Sequence, residues 1–93
     1  GHGVLQNFKE GVNWLEQAAR QGNAKAQYTM GEVNHYGIGV PQNDLQAYLW
    51  FTLAAAQNEG SAVAMRDKSA SKLTLEQITL MQEEAKKIAS TKK

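Results

Sequence analysis

Along this chain apolar and small residues recur at spacings of three and four and nowhere alternate strictly, so the pattern predicts helices and no strands. Five segments emerge. The first, about 6 to 21, places Phe8, Gly11, Val12, Trp14, Leu15, Ala18 and Ala19 on one broad face and stops at Gly22. Asn23 is the expected N-cap of a second helix, about 24 to 36. Asn43 is expected to cap a third that runs to about Gln57, with Gln46 at the capping-box position. Ala47, Tyr48, Leu49, Trp50, Phe51, Leu53, Ala54 and Ala55 make that third helix apolar almost all round, so it should be buried between neighbours on two sides. A shorter fourth helix covers about 60 to 70. Thr74 and Gln77 form a capping box for a fifth, about 75 to 90, which is expected to bury Leu75, Ile78, Met81, Ala85 and Ile88.

The pattern also repeats. "GVNWLEQAARQG" lies over "AYLWFTLAAAQN" so that residue 11 falls on 47 and residue 22 on 58, a constant offset of 36. Trp14 meets Trp50, Leu15 meets Phe51, Ala18 and Ala19 meet Ala54 and Ala55, and Gln21 meets Gln57. A period in the thirties made only of helices is the mark of stacked helical hairpins, an all-α solenoid. Identical placement in both repeats assigns Trp14 and Trp50 to packing rather than to stacking platforms for bases or sugars.

Between the second and third helices lies "YGIGVP". Gly37 and Gly39 permit positive backbone torsions, Val40 can plug the gap between helices, and Pro41 forbids helical continuation. This is a corner rather than a phosphate loop, because no strand precedes the glycines and no Lys-Ser/Thr pair follows them.

Composition narrows the chemistry. With 93 residues the chain suits one domain, and without cysteine it has neither a disulfide framework nor a thiolate metal site. No metal or cofactor is expected. Ten basic and nine acidic residues give a formal charge of +1, which lacks the clustered positive field of a nucleic-acid binder. Lys86, Lys87, Lys92 and Lys93 read as a solvated helix end. No apolar run approaches the ~20 residues of a membrane span, so no membrane insertion is expected. "GHG" at 1–3 looks like a cloning remnant, leaving residues 4–93 as the domain.

The segment from Trp14 to Gln57 resembles the Sel-one-like repeat (SLR), a relative of the tetratricopeptide repeat. The resemblance rests on Trp14, Ala18, Ala19 and Gly22, then "NAKAQ", Met30 and Gly31, "GxGVPQ" with Gly37, Gly39 and Pro41, and finally Ala47, Trp50, Phe51, Ala54 and Ala55. Asn34 departs from the usual tyrosine, which is expected to weaken the core of the second helix; Asn43 replaces the usual aspartate and keeps its capping ability. The segment "AMRDKSASKLTLEQI" resembles the divergent helical pair that often ends such arrays. The resemblance implies a right-handed superhelix of antiparallel helix hairpins that serves as a non-enzymatic scaffold for protein-protein contacts. It divides the chain into the second helix of a truncated repeat (6–21), one full repeat (24–57) and a capping pair (60–90), the C-terminal piece of a longer array. The uncovered first helix is then a candidate for self-association.

First helices line the concave groove in this repeat class. On the second helix that face would carry Lys25, Tyr28, Thr29, Glu32, His35 and Tyr36, opposite Ala26, Gln27, Met30, Gly31 and Asn34. Two tyrosines and a histidine are unusual on a solvated face and suit a binding surface for a peptide or partner helix of unknown identity. The competing reading is that Tyr28 and Tyr36 only cover neighbouring helices. His35 has no Ser, Cys or carboxylate motif near it in sequence, so catalysis is not expected. Glu76, Glu83 and Glu84 lie on the polar side of the last helix, and Arg66 with Asp67 is expected to tie the fourth helix to its neighbours. A second function, recognition of a peptidoglycan fragment or similar cell-envelope ligand, stays open at this stage.

Overall fold

Helix boundaries fall at the capping residues. A computed structural model describes the backbone of residues 2–91 and the side chains of residues 9–91. It contains α1 (His2–Arg20), α2 (Ala24–Tyr36), α3 (Asp44–Ala56), α4 (Ala62–Ala70) and α5 (Leu75–Thr91), with no strand among the described residues. Helix α1 therefore begins within the segment assigned to a cloning remnant; the burial expected of Phe8, and the fate of Lys92 and Lys93, lie outside the described residues.

Asn23 Oδ1 accepts the N–H of Ala26 at 2.9 Å and starts α2. At α5 the capping box is complete: Gln77 N–H donates to Thr74 Oγ1 at 3.1 Å, and Thr74 N–H donates to Gln77 Oε1 at 2.9 Å. At α3 only half of it forms. Asn43 Oδ1 accepts the N–H of Gln46 at 3.1 Å, but Asn43 gives its own N–H to the carbonyl of Asn34 at 2.9 Å, so the cap residue ties the corner back to α2. The corner itself is left-handed at Gly37 (φ 70°) and Gly39 (φ 76°), and the Gly37 and Ile38 N–H groups both return to the carbonyl of Val33.

Helix α3 is the centre of the stack, packed against α2, α4 and α5, while α1 packs on α2. Its run from Ala47 to Phe51, with Leu53 and Ala54, is buried, and Met81, Ala85 and Ile88 of α5 close the core. Three residues of the expected buried faces are not in the core, the first being Gly11, which is exposed with nothing within 4 Å of where a Cβ would sit. Trp50 is 1 % exposed, but its repeat partner Trp14 is 71 % exposed. The cause is position in the stack: α3 has helices on several sides, whereas α1 turns Val12, Leu15, Ala18 and Ala19 inward and leaves the Trp14 face uncovered among the described residues. Leu75 is 80 % exposed; it opens α5, whose inward side begins one turn later at Ile78. Arg66 and Asp67 also differ from expectation, since they pair with each other at 3.2 Å rather than bridging to a neighbouring helix. The acidic side of α5 is solvated, with Glu84 paired to Lys87 at 3.5 Å.

Candidate functional site

Helix α2 has an inner and an outer side, and the inner side sets the geometry of the outer. Ala26, Gln27, Met30, Gly31 and Asn34 are buried as their spacing predicts, together with Val33, which the projection had not placed. Gly31 is where the Phe51 ring of α3 presses on α2. A Cβ built there would stand 2.5 Å from Cδ1 and Cε1 of the fully buried Phe51, so the glycine is what lets the ring lie against the α2 backbone. Asn34 does not leave its amide stranded: Nδ2 donates to the carbonyl of Met30 at 2.9 Å.

On the outer side the candidate residues separate into two sets. Tyr28 leans toward α3 and α4. Its ring centroid is 5.6 Å from that of Phe51, and its ring atoms lie 3.6 Å from where a Cβ on Gly60 would sit, so Tyr28 fills the angle between Phe51 and the turn before α4. His35 is half-buried, edge-on to Tyr36 at 4.7 Å and 6.4 Å from Phe51, with Nδ1 buried and without a hydrogen-bond partner. The Tyr36 and Phe51 rings are both within aromatic-contact range of it. Covering a neighbouring helix thus describes Tyr28 and not Tyr36, which is 59 % exposed. The second set is Lys25, Thr29, Glu32 and Tyr36, spaced at four, three and four residues along one edge. Lys25 is exposed and Glu32 half-buried, and no ion pair to either is formed among the described residues. Among the described residues no group of three or more His, Asp or Glu is placed to hold a metal ion.

A second polar cluster was not anticipated. Gln57 Nε2 donates both to the carbonyl of Gly22 at 3.0 Å and to Oε1 of the buried Gln27 at 2.9 Å, while Gln27 Nε2 donates to the carbonyl of Ala19 at 3.1 Å. The coincidence of Gln21 with Gln57 in the repeat was the available signal. Arg20 caps the same corner, its guanidinium carbon 5.6 Å above the Trp50 ring and its Nε 3.0 Å from Glu16. A cleft of about 190 Å³ opens beside the cluster, floored by Leu53 and Ile88.

Helices stacked around α3, with a sequence pattern that recurs at a fixed offset, define a helical-repeat scaffold. The chain belongs to the Sel1 repeat family, whose model matches residues 1–23 and 24–59. It is 41% identical over 56 residues to chitin synthase regulatory factor 3 of Schizosaccharomyces pombe, covering 59% of this chain and 6% of that protein. Over 56 residues it is 30% identical to human protein sel-1 homolog 2, covering 60% of this chain and 8% of that protein. Among solved structures it is similar to c5321, a protective antigen present in uropathogenic Escherichia coli strains and displaying an SLR fold. That similarity has a TM-score of 0.80 and 27% identity, and it covers 89% of this chain and 18% of that one. The chain thus spans less than a tenth of the length of these curated relatives. Sel1 repeat proteins are generally protein-interaction scaffolds, a non-enzymatic kind of fold with protein partners.

Proposed function

We propose that this chain is a protein-interaction module that holds a peptide or partner helix along the Lys25, Thr29, Glu32 and Tyr36 edge of α2, the side that lines the groove of the superhelix. In the same proposal α1 is the second helix of one repeat, α2 and α3 a complete repeat, and α4 and α5 the pair that follows. The observation that carries the reading is the Tyr36 ring: it is large, 59 % exposed, and set edge-on against His35, so contact with a partner would fix little additional side-chain freedom. The test is capture of a partner by the immobilised chain, followed by titration with that partner. Tyr36→Ala should keep the melting temperature and weaken binding by ~1 to 3 kcal/mol, as expected of an anchor, while Glu83→Ala changes neither. Equal capture by Tyr36→Ala and the parent would remove the edge from consideration. Saturable binding of a muropeptide, lost with Tyr36→Ala, would instead favour recognition of a cell-envelope ligand.

The uncovered Trp14 supports a second contact surface on α1. Self-association there would appear as a concentration-dependent mass in light scattering that Trp14→Ala abolishes.

A further inference from the structure

The proposed edge has a charge that the fold leaves unanswered. Glu32 lies one helical turn before Tyr36, so carboxylate and ring are neighbours on the same face. It is half-buried, and no cation pairs with it among the described residues. Lys25, on the same edge, stands seven residues away, which is about 10 Å along the axis at ~1.5 Å per residue and beyond the range of a direct pair. One further feature favours positive charge here, and a second favours a fixed ring. The C-terminal end of α2 carries the negative pole of the helix, and Tyr36 is its last residue. The edge-on packing of His35 leaves the exposed Tyr36 ring oriented by a neighbour rather than free to turn.

We infer that the Glu32 and Tyr36 pair receives a cationic side chain of the partner, an arginine whose guanidinium stacks on the Tyr36 ring while pairing with the Glu32 carboxylate. Arginine suits the pair better than lysine because its planar group can stack and donate in a fork at the same time, and because it is more weakly hydrated. A half-buried carboxylate beside a low-dielectric ring interacts more strongly with such a cation than a fully solvated one does. The inference rests on the proposed edge and adds the chemistry of what docks there.

The experiment is an amide-shift titration of the isotope-labelled chain with three blocked pentapeptides, Gly-Gly-Xaa-Gly-Gly, in which Xaa is arginine, lysine or citrulline. Citrulline keeps the shape of arginine without its charge. The arginine peptide should shift the amides of Glu32, His35 and Tyr36, with the citrulline peptide at least threefold weaker and lysine between them. Glu32→Gln, nearly isosteric and checked for an unchanged melt, should lower affinity for the arginine peptide to the citrulline level. Shifts centred elsewhere, equal binding of citrulline, or an unaffected Glu32→Gln would each overturn the inference. The two readings fail separately: partner capture lost with Tyr36→Ala but kept by Glu32→Gln sinks the cation and leaves the docking edge standing, whereas capture kept by both sinks the edge itself.

Discussion

Replacing Gly31 by alanine adds one methyl group where the Phe51 ring of α3 presses on α2, and the geometry sets the outcome. On an exposed helix the change should stabilise by ~0.8 to 1 kcal/mol, because glycine is the poorest non-proline helix former. Here the new carbon would sit 2.5 Å from two Phe51 ring carbons and 2.8 Å from a third. Carbon atoms prefer about 3.5 to 4 Å, so the ring must retreat by roughly 1 Å. Phe51 is fully buried, with Tyr28 and His35 against it, and cannot turn outward. Overpacking of such a site costs ~1 to 3 kcal/mol; taking the upper half of that range and subtracting the propensity gain leaves a net loss of about 1 to 2 kcal/mol. For a domain of this size that lowers Tm by roughly 5 to 15 °C in a thermal melt followed by circular dichroism. Gly11→Ala is the control, since a Cβ there meets nothing within 4 Å, and it should raise Tm slightly. In a double-mutant cycle, Phe51→Leu should relieve part of the Gly31→Ala loss. A Gly31→Ala protein that melts at or above the parent temperature, or strictly additive losses in the cycle, would refute the close-approach account.

Trp50→Ala should cost ~3 to 5 kcal/mol, whereas Trp14→Ala should cost under ~1 kcal/mol, and comparable melts for the two would contradict their different burial. Tyr28→Ala should destabilise by about 2 kcal/mol through lost packing on Phe51, while Tyr36→Ala melts like the parent; the reverse order would exchange their roles. Gly37→Val should cost ~1 to 3 kcal/mol, since φ is 70° and a Cβ there would lie 3.2 Å from the Gln42 nitrogen; denaturant midpoints read it directly. Gln57→Ala should lose about 1 kcal/mol, because Gly22 O and Gln27 Oε1 share its single amide as donor, and an unchanged denaturant midpoint would show that water replaces it freely.

What could be read from the sequence was whatever local chemistry decides. Asn23, Thr74 with Gln77, and Gly37 act on backbone groups within a few residues of themselves, so their roles follow from spacing alone. The buried face of α3 was equally legible, because a helix apolar all round has nowhere to go but the interior. Trp14 and Leu75 were misread because burial depends on what stands opposite, and self-similarity equates residues without equating their neighbours. The division of Tyr28 from Tyr36 has the same origin: both lie on the outer half of α2, and only the placement of Phe51 and Gly60 tells them apart. Gly31 was recognisable as part of a repeat pattern, but the ring that demands it lies on another helix.

The two bonds from the Gln57 amide have a mechanical side. The one to Gly22 spans 35 residues in sequence, about one repeat, and joins the end of α3 to the end of α1. Hydrogen bonds are short-ranged and directional, so this edge of the stack resists splaying as a stitched seam does. Near the same end of α3 the Tyr28 ring packs toward Gly60, a contact made by ring carbons. Splaying α3 away from α1 would therefore have to break the Gln57 bonds, whereas slippage of the Tyr28 ring on Gly60 would give up only van der Waals contact.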